Sequence, residues 1–151
     1  MNNDELKIKI TGLFPSATFE EGTEWINISI NPSELLAVAP VLRNDPALLF
    51  DFLFCLTCID WKTHFTMVYH FSSTLYRHNL VVKSNLDREN PIIESLSHMW
   101  RTAEFHEREV YDLFGVKFLH HPDLRRLFLT DEWKGFPLRK DFEDPVNMIN
   151  L

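Results

Sequence analysis

The chain has 151 residues, of which 45% are hydrophobic and 13% aromatic, and its formal net charge is -7 at pH 7. This length and apolar content predict one domain with a real core, with room for an appendage. The acidic balance argues against nucleic acid as a partner, because phosphate binding needs a basic face. No stretch approaches the roughly 20 apolar residues of a membrane-spanning helix, and the N-terminus lacks the apolar segment of a signal peptide.

The first part of the sequence predicts a helix, a hairpin and a second helix. Residues 4–13 carry apolar side chains three and four apart, the spacing of an amphipathic helix. Residues 18–20 and 25–30 predict two strands joined by a turn, because apolar and polar residues alternate along the second of them. Asn31 can cap a second helix that extends to about residue 44. The predicted inner stripe of that helix consists of Leu35, Leu36, Val38 and Leu42.

The middle of the sequence is dominated by apolar runs. Residues 50–61 are nearly all apolar, which is compatible with a buried strand or with a short helix followed by a strand. Residues 65–71 and 79–84 predict a second hairpin. A helix is expected to open at Pro91 and to include Met99. A further helix should follow it and end at Gly115, a natural C-cap.

Taken together, these elements predict an α+β fold, with an antiparallel or mixed sheet and helices on one face. We place this core domain at residues 1–118 and assign residues 119–151 to an extended C-terminal arm. The arm has no lasting hydrophobic period, yet it is rich in arginine and aromatic side chains, which dominate the centres of protein interfaces. We therefore expect the arm to lie across another protein, and to be mobile or aggregation-prone in the isolated chain.

The predicted interface begins on the last helix and continues along the arm. Arginine side chains favour carboxylate and backbone partners, whereas aromatic and leucine side chains fill pockets. The predicted interface residues are Glu107, Arg108, Glu109, Asp112, His121, Asp123, Arg125, Arg126, Trp133, Phe136, Leu138, Arg139, Lys140 and Phe142. Its helical acids could form an acid/base group, but we favour their interpretation as ion-pair partners of Arg108 and of the downstream arginines. Glu104 with Arg108, and Arg108 with Asp112, also have the spacing of helical ion pairs.

Two groups of residues suggest a chemical role. Cys55 and Cys58 form a CxxC pattern, which suits a redox dithiol or half of a zinc site, but no second ligand pair has the required spacing. We favour two buried free thiols in a reducing cytoplasm. His106, His120 and His121 lie near several acids, but they match neither HExxH nor a deaminase-like His-x-Glu. No phosphate loop, GxSxG motif or catalytic triad is present in the sequence, so the residues alone do not describe an enzyme.

Three motifs in the last third of the chain are long enough to be specific. They are EREVYDLFGVKF at 107–118, HPDLRR at 121–126 and WKGFPLRKDF at 133–142. With them, the chain resembles the C subunit of NADH:quinone oxidoreductase, the respiratory complex I. The resemblance covers about residues 25–144 and includes earlier matching segments at 56–60, 65–70 and 91–103.

The resemblance implies a cofactor-free structural subunit with no catalytic residues of its own. In the family, this subunit lies in the peripheral arm of a complex that transfers electrons from NADH to quinone and translocates protons. It sits on the cytoplasmic side of the bacterial cell membrane, to which it is attached indirectly. Its arm packs against, and braces, the large hydrogenase-like subunit of the quinone site. FMN, iron–sulfur clusters and quinone belong to other parts of the complex. Membrane-bound hydrogenases and ferredoxin- or deazaflavin-linked dehydrogenases share the core motif and are alternative parent complexes.

The chain departs from the family pattern at three positions. The family usually has glycine before the His-Pro pair, and here the residue is His120, which needs a different backbone angle or points outward. Phe105 stands where tryptophan or tyrosine is common, and Cys58 stands where a small residue is usual. None of these departures alters the predicted arm.

Overall fold

The computed structural model describes residues 1–144, and the last part of the predicted arm, residues 145–151, lies outside them. The helices are α1 (Asn3–Leu13), α2 (Leu35–Asn44) and α3 (Ala103–Phe114), and a single 3-10 turn at Pro32–Glu34 precedes α2. The strands are β1 (Thr18–Glu20), β2 (Ile26–Ser29), β3 (Phe52–Asp60), β4 (His64–Ser72), β5 (Asn79–Asp87), β6 (Ile92–Glu94) and β7 (Lys117–Leu119). No helix within residues 1–144 is long and apolar enough to cross a bilayer.

A five-stranded sheet in the order β1-β2-β5-β4-β3 forms the centre of the domain. Its neighbouring strands are antiparallel except for β2 and β5, which are parallel. A separate parallel pair joins β6 to β7. The predicted α+β fold with a mixed sheet is therefore confirmed. The proposed boundary after residue 118 falls inside β7.

One hydrophobic core lies between the sheet and the helices. The inward side chains of β4, namely Phe65, Met67, Tyr69 and Phe71, are almost completely buried, and the buried apolar residues of all three helices belong to the same cluster. On the other face of the sheet Trp25 packs edge-on against Phe54, with ring centroids 5.9 Å apart. Both β3 and α3 bury apolar side chains in this core, and both carry residues that bind the C-terminal arm.

Most of the local predictions are confirmed. The first helix and both hairpins form, and Asn31 caps the turn that leads into α2 through its contact with the Ser33 N–H. The apolar run 50–61 becomes strand β3. In α2, however, Leu36 is not part of the inner stripe and is 47% exposed. The buried residues Leu35, Val38, Ala39 and Leu42 follow the helical period, and residue 36 is turned about 100° from residue 35.

The predicted helix after Pro91 is wrong. Ile92 and Ile93 lie instead in strand β6, which pairs with β7. β-branched residues favour extended backbone, and the pairing partner lies some 25 residues further along the chain, where a local pattern gives no sign of it. The helix begins only at Ala103 and ends, as predicted, at Gly115.

Candidate functional site: an arm docked on its own domain

The described part of the arm attaches to the domain where α3 ends. Gly115 ends the helix in the left-handed conformation, with φ +81°. Three successive carbonyls then lack an intrahelical partner, and each accepts a hydrogen bond from the arm. The donors and acceptors are Arg126 Nη1 to Asp112 O at 3.0 Å, Leu138 N–H to Leu113 O at 3.1 Å and Arg139 Nε to Phe114 O at 2.7 Å. The arm thus caps the helix, and its arginines complement the negative end of the helix dipole.

The carboxylate of Asp112 holds the beginning of the arm. One oxygen accepts the backbone N–H groups of Leu127, Phe128 and Leu129 at 3.1, 2.7 and 3.0 Å. The other oxygen accepts from Arg126 Nη1 at 3.0 Å. Asp112 is fully buried, and burial raises its pKa, but these hydrogen bonds lower it more, so that its pKa lies below the ordinary value. Asp112 is therefore ionised near neutral pH with its charge compensated.

Alternating arginine and aromatic side chains join the arm to the sheet. Arg88 and Arg139 both lie over the ring of Phe65, and Arg139 also lies over the ring of Phe136. Arg126 completes the series on Phe136. The guanidinium-to-ring distances, in order from Arg88 to Arg126, are 5.6, 5.2, 4.8 and 5.2 Å. Each distance is within the range of a cation–π contact, and we call the series the arginine–aromatic ladder.

A second carboxylate, that of Asp60 at the end of β3, holds the far end of the arm. Arg88 donates to both of its oxygens, at 3.0 and 2.9 Å, and also to those of Asp141, at 3.1 and 2.8 Å. The Lys140 N–H donates to Asp60 at 2.9 Å. The hydrogen bonds from Arg88 lower the pKa of the buried Asp60 carboxyl well below its usual range. Both ends of the arginine–aromatic ladder thus meet a buried carboxylate.

The predicted ion pairs of α3 are mostly replaced by other contacts. Arg108 donates to the carbonyls of Arg125 and Arg126, at 3.2 and 3.1 Å, and among the described residues it bonds to neither Glu104 nor Asp112. One predicted type of pair, a helical acid with a downstream arginine, is present, and it is the pair of Asp112 with Arg126. The other assignments are wrong because the arm offers Arg108 free carbonyls at the helix surface, which the sequence spacing does not reveal.

Glu107 pairs with no arginine within the described residues. Its carboxyl group accepts hydrogen bonds from Ser95 Oγ at 2.6 Å and from the Leu96 N–H at 2.7 Å, so it fastens the turn after β6 to α3. The Nε2 atom of His121 lies 3.8 Å from the same carboxyl group. Glu107 is fully buried, and burial raises its pKa to about 7 against the opposing effect of the two hydrogen bonds.

The histidines near the arm have structural partners. His121 Nε2 donates to the Glu104 carbonyl at 2.9 Å, and Nδ1 accepts the Asp123 N–H at 3.0 Å, an arrangement that fits the neutral imidazole. His120 has φ +63°, and its exposed ring lies 2.8 Å from a Glu94 oxygen. The backbone at residue 120 is therefore in the left-handed region that glycine favours, and the side chain of His120 points outward. No group of three metal-ligating side chains occurs in the described part of the chain.

The two cysteines lie on opposite faces of the sheet. Cys55 pairs with His70 across β3 and β4, whereas Cys58 pairs with Met67 on the core side. Both are free thiols, Cys58 buried and Cys55 half-buried. Burial raises the pKa of Cys55 and raises that of Cys58 to about 12. A shared metal or a reactive dithiol does not fit this geometry, because both chemistries need adjacent thiolates.

The predicted interface set divides into two groups. Glu107, Arg108, Asp112 and the side chain of His121 are buried within the chain, and Arg126 and Arg139 direct donors at the domain, so these six make contacts within the chain and do not form an outer surface. The remaining eight are half-buried or exposed, and their contact with a partner stays a prediction. They are Glu109, Asp123, Arg125, Trp133, Phe136, Leu138, Lys140 and Phe142.

The outer side of the docked arm carries apolar groups. Phe128 is 66% exposed and Leu138 is 51% exposed. Trp133 stacks on Phe142, with ring centroids 6.4 Å apart. Phe128 is not among the predicted interface residues. Exposure of its ring in a soluble chain is nevertheless energetically costly, which is a reason for predicting an interface. Sequence reasoning also missed the contacts of Asp60, Phe65 and Arg88, which bind the arm from distant parts of the chain, and the packing of the arm on Gly115, which was predicted only as a helix end.

Comparison with known proteins gives the class of this one. Residues 28–146 match the family model described as "Respiratory-chain NADH dehydrogenase, 30 Kd subunit". The match covers well over half of the chain, and the chain belongs to this family, which is that of the complex I C subunit. The resemblance based on the three motifs is thereby confirmed.

The curated relatives carry matching names. The chain is 40% identical over 132 residues to the C subunit of NADH-quinone oxidoreductase from Moorella thermoacetica, covering 86% of this chain and 88% of that protein. It is 39% identical over 119 residues to the C subunit from Roseiflexus sp. (strain RS-1), covering 77% and 68%. It is 48% identical over 103 residues to the C/D subunit from Phocaeicola vulgatus, covering 67% of this chain but only 20% of that longer protein.

Two solved structures share the fold. A chain described as Nqo5 of a trypsin-resistant fragment (1-134) has a TM-score of 0.69 at 24% identity, covering 82% of this chain and all of that one. A chain of an archaeal respiratory membrane complex, the membrane-bound sulfane sulfur reductase, has a TM-score of 0.80 at 22% identity, covering 93% and 85%. At these identities the likeness concerns the fold alone.

Proposed function

We propose that the chain is a structural subunit of the peripheral arm of a proton-translocating NADH:quinone oxidoreductase. In this proposal it lies on the cytoplasmic side of the cell membrane and reaches the membrane only through the complex. Its docked arm braces the large hydrogenase-like subunit that helps to form the quinone site. The reaction belongs to the complex, and this chain holds no flavin, iron–sulfur cluster or quinone.

The observation that carries the proposal is the outer side of the arm. Phe128 and Leu138 are held at the surface by backbone hydrogen bonds to Asp112 and Leu113. Exposed apolar side chains on a rigid support are typical of a surface that another protein covers.

The relatives support the choice of partner, and in this proposal the large hydrogenase-like subunit is the D-type subunit of the complex. The Phocaeicola vulgatus and Bacteroides thetaiotaomicron relatives are each named as a C/D subunit, and this chain matches about a fifth of their length, 20% and 23%. In those proteins a region similar to this chain is part of one polypeptide with a D-type region. Because covalent linkage keeps two modules at high effective concentration, a C/D polypeptide is consistent with modules that work side by side.

The internal contacts support a role without catalysis by this chain. Three of the side chains with acid or base character hold the structure: Asp112 and Glu107 bind backbone N–H groups, and His121 bridges two backbone groups. The two thiols lie on opposite faces of the sheet. None of these groups is arranged as a nucleophile with an adjacent base.

Binding of the full chain to the D-type subunit of the same organism tests the proposal. We expect the two purified proteins to associate, and we expect the double variant Phe128→Ser/Leu138→Ser to weaken association by at least about tenfold, as loss of a central apolar contact does. Biolayer interferometry measures the affinity.

The matched control is Leu75→Ser. Leu75 is 67% exposed at the tip of the β4–β5 hairpin, at the opposite end of β4 from the arm. It should leave the affinity unchanged. A wild-type chain that does not bind the D-type subunit, or equal weakening by the control and the double variant, would contradict the proposal.

A further inference from the structure

The arm satisfies groups of the domain that would otherwise be buried without partners. Asp112 keeps a fully buried carboxylate whose hydrogen-bond donors, among the described residues, all come from residues 126–129. The last three carbonyls of α3 are likewise bonded by the arm, from Arg126, Leu138 and Arg139. Removal of the arm would leave a charge and three carbonyls without these partners, which is energetically costly.

The arm is also fixed at two points that lie far apart in the chain. Near its beginning it is bonded to Asp112 on α3, and near its end the Lys140 N–H is bonded to Asp60 on β3. Between them the arginine–aromatic ladder packs Phe136 against Gly115, so closely that a β-carbon there would stand 2.6 Å from the ring. All of these contacts join residues of the same chain.

We propose that residues 127–140 form a strap that is latched onto its own domain in the free subunit, before any partner binds. The two latches are Asp112 at one end and the Asp60–Arg88 pair at the other. The strap holds Phe128 and Leu138 in the positions in which a partner meets them. Only the identity of that partner rests on the proposed function; the latched state of the free chain does not.

A latched strap is ordered in the isolated chain, contrary to the expectation that the isolated arm is mobile. A segment that orders only on binding loses conformational entropy at that step, and its association is weakened accordingly. A strap already latched in the free chain avoids that loss. Arg126 and Arg139 then act as positioning residues, because they contact the domain and not the partner.

Residue-resolved amide hydrogen exchange on the full-length chain tests the latch. Five amides report on it because each donates to the domain: Leu127, Phe128, Leu129, Leu138 and Lys140. In the free wild-type chain we expect these amides to exchange at least about tenfold more slowly than in an unstructured peptide. The amides of the central strand β4 provide an internal measure of whether each variant is folded.

Two neighbouring arginines supply a matched pair of variants. The side chain of Arg126 is 12% exposed and binds Asp112, whereas that of Arg125 is 67% exposed and pairs with the local Asp123 carboxylate. Arg126→Gln should speed exchange at residues 127–129 by about tenfold and leave β4 unchanged, and Arg125→Gln should change neither. Arg88→Gln, at the other latch, should speed exchange at Lys140 and keeps the test decisive if Arg126→Gln fails to fold.

The outcomes separate the strap from the proposed function. Unprotected arm amides in the free wild-type chain, or equal exchange in Arg125→Gln and Arg126→Gln, would overturn the strap even if the D-type subunit binds normally. Protected amides that respond as expected would support the strap even if the D-type subunit does not bind, in which case the proposed function fails alone. Where both hold, Arg126→Gln should also slow association with the D-type subunit about tenfold.

Discussion

The ring of Phe136 lies directly over Gly115, and a β-carbon built on residue 115 would stand 2.6 Å from its Cε2 atom. Gly115 also has φ +81°, a conformation that residues with a side chain adopt only at a cost. One residue therefore has to end α3 and admit the arm at the same place. Glycine alone meets both requirements, which links the end of the helix to the docking of the arm.

Gly115→Ala should lower the free energy of unfolding by about 2–4 kcal/mol. The left-handed backbone accounts for about 1–2 kcal/mol of this, and displacement of the Phe136 ring accounts for the rest. The control is Gly12→Ala, since a β-carbon at Gly12 in α1 meets nothing within 4 Å. That variant should stabilise the chain by about 0.5–1 kcal/mol. Urea denaturation measures both, and a Gly115→Ala chain as stable as wild type would contradict the prediction.

Asp112→Ala should cost about 3–5 kcal/mol, because it leaves Arg126 without its buried counter-ion and three N–H groups without an acceptor. Asp131→Ala, at an exposed carboxylate of the same arm, should change stability by less than about 0.5 kcal/mol. Thermal and urea unfolding of both variants test this. A loss below about 1 kcal/mol for Asp112→Ala would show that the arm is not held through this residue.

The same carboxylate has a pH signature. The pKa of Asp112 is lower in the folded chain than in the unfolded chain. Its contribution to the free energy of unfolding is therefore complete above the ordinary pKa of 3.8, and it is lost as the pH falls through the lowered pKa of the folded chain. The stability difference between wild type and Asp112→Ala should therefore shrink at acid pH and should not change between pH 5 and 8.

Sequence patterns predicted the parts of this fold that depend on near neighbours. The helix cap at Asn31, both hairpins and the glycine stop at Gly115 each follow from residues a few positions apart. Ile92 and Ile93 show where this reasoning fails, since their strand exists only through pairing with residues 117–119. The predicted inner position of Leu36 failed for a different reason, because its angle around the helix was misjudged.

The sequence indicated that the arm is an interaction surface, but it did not indicate how the arm is attached to its own domain. The composition of the arm indicated an interface, and the exposed Phe128 agrees with that interpretation. The partners of the arm could not be found from the sequence, because Arg88 and Asp141 are 53 residues apart and Asp60 and Lys140 are 80 apart. An arginine in an unstructured sequence segment gives no sign of whether its partner lies within the chain or on another protein.

Thiol reactivity should distinguish the two cysteines. Cys58 is buried on the core side of β3 and burial raises its pKa to about 12, so in the folded chain it should not react measurably with an aromatic disulfide reagent at pH 8. Cys55 is half-buried on the other face, and its pKa is also raised by burial, so it should react slowly and first. Cys55→Ser should remove the slow phase and leave one thiol that reacts only after unfolding. Two fast-reacting thiols would instead support a redox role.

Glu107 should make the chain less stable as the pH rises from about 4.5 to about 7. Its pKa is 4.5 in the unfolded chain and about 7 when folded, because burial disfavours the charged carboxylate. Within that window the folded state binds the proton more tightly than the unfolded state does, so deprotonation costs stability, by up to about 3 kcal/mol at 1.36 kcal/mol per pKa unit.

Glu107→Gln removes this titration, so its stability relative to wild type should increase with pH across the window and level off above pH 7. Other groups also titrate there, notably His70 and His78, whose pKa values are lowered by burial. They are present in both proteins, and their effect cancels in the difference. Glu109→Gln, at a half-buried acid of the same helix, retains Glu107 and should follow the wild-type pH dependence. A Glu107→Gln difference that does not change between pH 4.5 and 7 would mean that the buried acid titrates alike in the folded and unfolded chains.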